Sequence, residues 1–207
     1  MIYEYAINIA NINSIEQIKG LHCSKERITR ADRYYKEKDK IRSIISEAIV
    51  RYGLTEGIGL NGDSIIINYP KYKKPYIDMK GIYFNISHSG DWIVVAVGDE
   101  EIGVDVEKIK ETKLPEQLVY FSEEERFFLE SLEESNQVNW FYKIWTLKES
   151  YIKYTGKGFK CSLNSFSVIE KRKEKFKSIK LDEVHWYALC ANTAKNGDIK
   201  YVNLEIL

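Results

Sequence analysis

Three carboxylates and one lysine have the types and spacing to do chemistry. In the segment GVDVEKI, strand periodicity puts Asp105 and Glu107 on one face and Val104 and Val106 on the other. Two carboxylates side by side repel each other unless something positive lies between them. In WTLKESYIKYTGKG, Glu149 and Lys153 stand four residues apart and so share a helical face. The plain interpretation is a solvated strand and a surface ion pair, both common in proteins. The chemical interpretation is a hard-cation site, because Mg²⁺ favours a few carboxylates together with water and phosphate oxygens. Asp105, Glu107 and Glu149 would supply the carboxylates, with Lys148 and Lys153 placed to offset phosphate charge.

Other candidates are weaker taken singly. Arg27, Arg30, Arg42 and Lys74 could form a phosphate-binding wall, although lysines and arginines in such segments are usually just solvated. In FNISHSGDW, His88 falls in a serine-rich turn, where a histidine more often stabilises the turn than catalyses. His22, His88 and His185 have no metal-ligand spacing. A triad built on Ser87 or Ser89 lacks the nucleophile elbow GxSxG. Neither GxGxxG nor a Walker A sequence is present, which disfavours dinucleotide and P-loop chemistry.

The elements that must position these residues follow from periodicity. Residues 2–9 alternate loosely and predict a strand, and 24–52 predict a basic helical region with an apolar stripe at Ile41, Ile44, Ile45, Ala48 and Ile49, stopping at Gly53. Strands are expected at 64–69, 82–86, 92–97 and 102–107, with a basic turn at 70–75 and the polar turn SHSGD between the second and third. An acidic helix at 122–133 and a helix at 138–155 with Gly156 as its stop come next, then strands near 164–170, 176–181, 185–191 and 200–205. A faint internal echo sets ADRYY and SEAIVRYG against EERFF and KESYIKYTG. It aligns Glu47 with Glu149, Arg51 with Lys153, and Tyr34–Tyr35 with Phe127–Phe128, and predicts two similar α+β halves with a ligand cleft between them.

The 207 residues are enough for one large domain or two small ones. Lys plus Arg and Asp plus Glu both number 31, so no global charge draws the chain to nucleic acid or an anionic membrane. Three widely spaced cysteines without a CxxC fit reduced thiols in the cytoplasm better than a disulfide frame. The apolar N-terminus lacks a basic leader and reads as a strand rather than a signal peptide.

FNISHSGDW, GVDVEKI and WTLKESYIKYTGKG, in that order and at these separations, resemble the 4′-phosphopantetheinyl transferase superfamily. The length and the paired halves resemble its surfactin-synthetase-activating (Sfp) type, a pseudo-dimer on one chain. The likeness runs from the basic helix near residue 24 to the strand at 185–191. It implies an α+β fold whose halves, residues 1–100 and 101–207, are related by a pseudo-twofold axis with the active site in the cleft. It also implies a monomeric cytoplasmic enzyme, without nucleic-acid or membrane partners, that uses Mg²⁺ to move 4′-phosphopantetheine from coenzyme A to a serine of an apo carrier protein.

Residue by residue, Asp105, Glu107 and Glu149 match the family's metal ligands, and Lys153 matches the lysine at the phosphate region. Ser87 and His88 match positions facing the coenzyme's phosphates. Arg27, Arg30, Arg42, Lys74 and Pro75 resemble those holding the 3′-phosphate and adenine end. Glu125, in FSEEERFF, matches an acidic position near the metal. Members often have glycine before KP, where this chain has Lys73. The resemblance leaves open whether Glu149 is ligand, base or both, and which carrier is served. Carrier docking is expected around residues 111–135. Two other readings are a coenzyme A or nucleotide-binding module without transfer activity, and an RNA-binding protein, which zero net charge and the lack of an RNP-type motif disfavour.

Overall fold

The computed structural model describes residues 1–70, 74–111, 114–156, 158, 161–169, 175–194 and 197–207. Residues 71–73 of the basic turn at 70–75, Lys73 among them, and the last residue of the strand expected at 164–170 lie outside them. The elements are β1 (Ile2–Asn8), α1 (Lys25–Ala31), α2 (Glu37–Glu56), β2 (Ile67–Asn68), β3 (Tyr76–Ile77), β4 (Tyr83–Ser89), β5 (Trp92–Gly98), β6 (Gly103–Lys108), α3 (Leu114–Gln117), α4 (Glu123–Glu130), α5 (Glu134–Thr155), β7 (Phe176–Asp182), β8 (His185–Cys190) and β9 (Lys200–Tyr201). This is an α+β fold. The sheets run β4-β5-β1-β9 and β6-β8-β7, and β2 and β3 form a separate small hairpin.

Strand β5, WIVVAVG, is buried along its whole length because both of its faces are covered. Ile93, Val95 and Val97 pack with Ile41, Ile45 and Ile49 of α2. Trp92, Val94 and Ala96 pack with Val104 and Val106 of β6 and with Tyr187 and Leu189 of β8. The outer face of the second sheet contributes Ala188 to a third cluster, with Phe141, Ile144 and Leu147 of α5 and Leu129 of α4. The layers are therefore helix, sheet, sheet, helix. Each fully buried isoleucine in them contributes roughly 1.5–3 kcal/mol through area removed from water.

The order of elements recurs. Strands β4-β5-β1 in the first sheet correspond to β7-β8-β6 in the second, and each set is completed by a short and a long helix, α1 and α2 or α4 and α5. The C-terminal segment then crosses back, with β9 pairing parallel to β1 and Val202 joining the first core. Between the sheets, Lys177 of β7 donates 3.0 Å bonds to both carboxylate oxygens of Glu4 on β1, and the Tyr187 hydroxyl donates to the same group at 2.7 Å.

The repeat corrects the alignment drawn from sequence. Ser24 caps α1, and Arg27 of that helix bonds Glu47 of α2 at 3.4 Å, its guanidinium 3.9 Å from the Tyr69 ring centroid. In the second half Ser122 caps α4, and Glu125 of that helix pairs with Lys148 of α5, whose ammonium lies 4.4 Å from the Phe166 ring centroid. The two arrangements correspond with their charges exchanged, so the partner of Glu47 in the repeat is Lys148 and not Glu149.

Boundaries moved where tertiary packing or capping decided them. The basic region is two helices, and α2 passes Gly53 to end at Glu56. Residues 87–89 of SHSGD belong to β4, and only Gly90 and Asp91 make the turn. The segment expected as a strand at 164–170 begins as a 3₁₀ turn at Leu163–Ser165. Gly156 caps α5 at φ +64, as a left-handed helix stop should. Gly103 opens β6 where α5 rests directly on it: a Cβ there would lie 1.9 Å from the Ser150 carbonyl oxygen and 2.3 Å from the Tyr154 nitrogen.

Candidate active site

The motif NISHS is a strand read on two faces. Alternate residues of β4 turn towards the second half, and each finds a partner on β6. Asn85 Oδ1 accepts from the Val104 N–H at 2.8 Å, Ser87 Oγ donates to Asp105 Oδ1 at 2.8 Å, and Ser89 Oγ donates to Glu107 Oε2 at 3.0 Å. Ser89 Oγ also accepts from the Lys108 N–H at 3.1 Å. The residues between them, Ile86 and His88, face α2 and line a cavity of about 450 Å³.

Asp105 is 3% exposed. Its Oδ1 accepts from Ser87 and, at 2.7 Å, from Nζ of Lys153, while its Oδ2 is buried with no hydrogen-bond partner. Glu107 and Glu149 lie near enough to feel the Asp105 charge. Burial, and next the Asp105 charge, push the Glu107 carboxyl up to about 7. The same two causes raise Glu149, with Lys153 opposing them. Three carboxylates thus share the Lys153 ammonium, and two of them hold protons more tightly than usual. Among the described residues, no three His, Cys, Asp or Glu side chains already stand close enough together to grip a metal ion.

The cavity is lined by Arg27, Tyr34, Asp39, Arg42, Ser43, Ser46, Pro75, Phe84 and Asn85 besides Ile86 and His88. Arg42 Nη1 bonds Asp39 at 2.6 Å, Nη2 bonds the Gly90 carbonyl at 3.0 Å, and its Nε is buried without a partner. Crowding by protein, and then the Arg42 charge, lower the pKa of His88, so its imidazole is neutral near pH 7. Lys74 donates to the Ile102 carbonyl at 2.6 Å and to Glu101 at 3.4 Å, and burial lowers its pKa against the pull of Glu101.

The structure thus gathers Asp105, Glu107, Glu149, Lys153 and Ser87 at one junction, and Arg27, Arg42, Pro75 and His88 around the adjoining cavity. Ser87 faces the carboxylates rather than the cavity. Arg27 is already held by Glu47 and, at 3.1 Å, by Ser43. Arg30 is exposed near Tyr69 and is not a lining residue.

Two expectations are overturned. Lys148 does not face a phosphate, because it is fully buried, pairing with Glu125 and donating to the Phe166 carbonyl at 2.6 Å. Glu125 is not at the carboxylate site. It is the third residue of a capping box with Ser122 and accepts from the Val168 N–H at 2.8 Å. Asn85, Ser89, Asp39 and Tyr34 are site residues that the sequence reading did not single out, Ser89 being weighed only as a triad nucleophile. The first two were detectable, since they alternate with Ser87 along one strand face.

A sequence model described as the 4′-phosphopantetheinyl transferase superfamily matches residues 101–199, and one described as 4′-phosphopantetheinyl transferase, N-terminal, matches residues 17–100. The chain belongs to the 4′-phosphopantetheinyl transferase superfamily. The transferase gsp of Aneurinibacillus migulanus is 38% identical over 143 residues, covering 69% of this chain and 60% of its own. The transferase Sfp of Bacillus subtilis strain 168 is 36% identical over 146 residues, 70% of this chain and 65% of its own. HetI of a Nostoc species, also a 4′-phosphopantetheinyl transferase, is 30% identical over 142 residues, covering 65% of this chain and 60% of its own. The match thus spans less than two thirds of each of these transferases. The described helices include none long and apolar enough to cross a membrane.

Proposed function

We propose that this chain transfers 4′-phosphopantetheine from coenzyme A to a serine of an apo carrier protein, releasing 3′,5′-ADP, and that it acts as a cytoplasmic monomer. The observation that carries the reading is the junction of Ser87, Asp105 and Lys153, which ties the carboxylates to the strand whose other face lines the cavity. Residues 1–100 would carry the coenzyme wall, and residues 101–207 the carboxylates and helix α5.

A divalent cation fits the donor chemistry: the set is all hard oxygen, Asp105 Oδ2 is buried and unpartnered, and Glu107 and Glu149 are crowded carboxylates that a cation would relieve. Asp105, Glu107 and Glu149 would hold Mg²⁺, which would supply charge neutralisation at the pyrophosphate.

The chain's own groups do the rest. Arg42 and the neutral His88 line the cavity as hydrogen-bond donors for coenzyme phosphate oxygens, with Pro75 beside them and Arg27, Arg30 and Lys74 adding positive charge around it. The carrier serine oxygen attacks the pantetheine-side phosphorus, and the bond from that phosphorus to the bridging oxygen breaks. The serine proton passes to the Glu149 carboxylate, directly or through a bound water. Lys153 would stabilise the departing phosphate. No nucleophilic side chain is required, and Cys23, with its thiol pushed up to about 12 by burial and then by Glu47, is not one.

The test is incubation with coenzyme A, MgCl₂ and a panel of apo carrier proteins, followed by mass spectrometry of the carriers. Gain of one phosphopantetheine is expected. Coenzyme A binding without mass gain on any carrier would mark a binding module instead.

A further inference from the structure

The hairpin tip between β4 and β5 is gripped from both halves. Gly90 has φ +57, and a Cβ there would lie 2.7 Å from Nε2 of His185 and 3.2 Å from Cδ of Lys108. His185, on β8, is buried, and its Nε2 has no hydrogen-bond partner, so the ring edge meets the glycine backbone itself. The ring is fixed from behind: Nδ1 lies 2.9 Å from both carboxylate oxygens of Asp182, and the Trp92 indole donates to Oδ2 of the same carboxylate at 2.8 Å. Trp92 is the first residue after the tip, so Asp182 holds both the wedge and the strand the wedge supports.

On its other side the tip meets the site. The Gly90 carbonyl accepts from Arg42 Nη2 at 3.0 Å, and Ser89 bonds Glu107 at 3.0 Å. Asp91 pairs with Lys38 of α2, and its carbonyl accepts from the Ile9 N–H at 2.8 Å. A tip held this way anchors Arg42 Nη2, while Nη1 is held by Asp39 and Nε stays without a partner beside the cavity. If His185 were removed, the tip could sink into the second sheet, drawing away the Gly90 carbonyl that Arg42 uses.

We infer that Asp182 and His185 are positioning residues for the cavity: through the Gly90 tip they set the Arg42 guanidinium and, through Ser89, the Glu107 carboxylate. The inference rests on the proposed function only in taking Arg42 and Glu107 as parts of the site. Neither Asp182 nor His185 lines the cavity. A pair that set Arg42 would act chiefly on coenzyme A binding, whereas a merely structural pair would lower the melting temperature alone.

His185→Ala is expected to raise KM for coenzyme A about tenfold, the scale on which groups supporting a ligand-binding side chain act, with a smaller change in kcat. Coenzyme A affinity by calorimetry should fall in parallel, and His185→Gln, which keeps a donor towards Asp182, should recover part of it. Gly90→Ala should be harmful alone but less so when combined with His185→Ala, because the second change vacates the 2.7 Å contact. The Arg42 Nε–H resonance should shift in His185→Ala and in Asp182→Asn. If His185→Ala does not fold, His185→Gln and Asp182→Asn decide by the same readings. Unchanged KM, affinity and Arg42 resonance in folded variants would overturn the inference. Absence of transfer by the unaltered chain would instead overturn the proposed function, and the Arg42 resonance would still decide the role of the pair.

Discussion

Nζ of Lys153 lies 2.7 Å from Oδ1 of Asp105, an ion pair that joins helix α5 to strand β6. The same ammonium donates to Ser87 Oγ at 2.8 Å, so three elements from both halves meet at one charge. Glu149, one turn earlier on the helix, has its proton affinity raised by burial and then by the Asp105 charge, against the pull of Lys153. The four-residue spacing that suggests a helical ion pair instead separates two groups with different partners.

Asp105→Asn keeps the side-chain volume and removes the charge. Transfer should fall by about 100-fold or more, the usual scale for losing one electrostatic contact at a reacting group. Circular dichroism should stay native. A folded variant that transfers at the unaltered rate would show that this carboxylate has no part in the reaction.

Lys148→Ala should behave in the opposite way to Lys153→Ala. It leaves Glu125 fully buried without its cation, and stability should fall by about 3–5 kcal/mol in urea unfolding. Lys153 is 28% exposed, so its removal should cost far less stability and most of the activity. Equal stability losses would refute this division of labour.

Glu107 gives a pH dependence whose sign is fixed. The folded carboxyl titrates near 7 and the unfolded one near the ordinary 4.5, so the folded state binds more protons between those values. Stability from this group is therefore full below about 4.5 and is lost as pH rises towards 7. Unfolding free energies at pH 5 and 7.5 should show a decline for the unaltered chain that Glu107→Gln flattens. Added MgCl₂ should stabilise the chain more at pH 7.5 than at pH 5, because cation and protons compete for the same oxygens. A Mg²⁺ effect that is the same at both values would count against the cation site.

Gly103→Ala places a methyl group where the Ser150 carbonyl and the Tyr154 nitrogen already stand. Helix α5 must then lift from β6, carrying Lys153 away from Asp105. Both melting temperature and transfer rate should drop together. A stable, fully active alanine variant would mean that the helix can slide without consequence.

Much of the site was readable because strand alternation is strict. Asp105 and Glu107 share a face by period two, and the same rule applied to NISHS separates Asn85, Ser87 and Ser89 from Ile86 and His88. Lys148 was misread although the rule that corrects it is simple: adjacent helix residues point about 100° apart, so Lys148 and Glu149 cannot serve one site. Glu125 also carried a warning, since Ser122 three residues earlier spells a capping box. The pairing of Lys153 with Asp105 was not readable, because it depends on how closely a helix approaches a strand from elsewhere in the chain. Asp182 and His185 were hidden for a similar reason: their partners, Trp92 and Gly90, lie on the other sheet and in its β4–β5 turn. The repeat of the halves could be sensed, but exchanged charges at Arg27–Glu47 and Glu125–Lys148 defeated alignment by residue type.

Strands β4 and β6 each end a sheet, and an exposed sheet edge invites addition of a strand from another molecule. Here the outward amides of Val104 and Lys108 are already taken by the side chains of Asn85 and Ser89. The motif that shapes the site thus also closes a route to aggregation, so solubility and activity are under one constraint along those few residues.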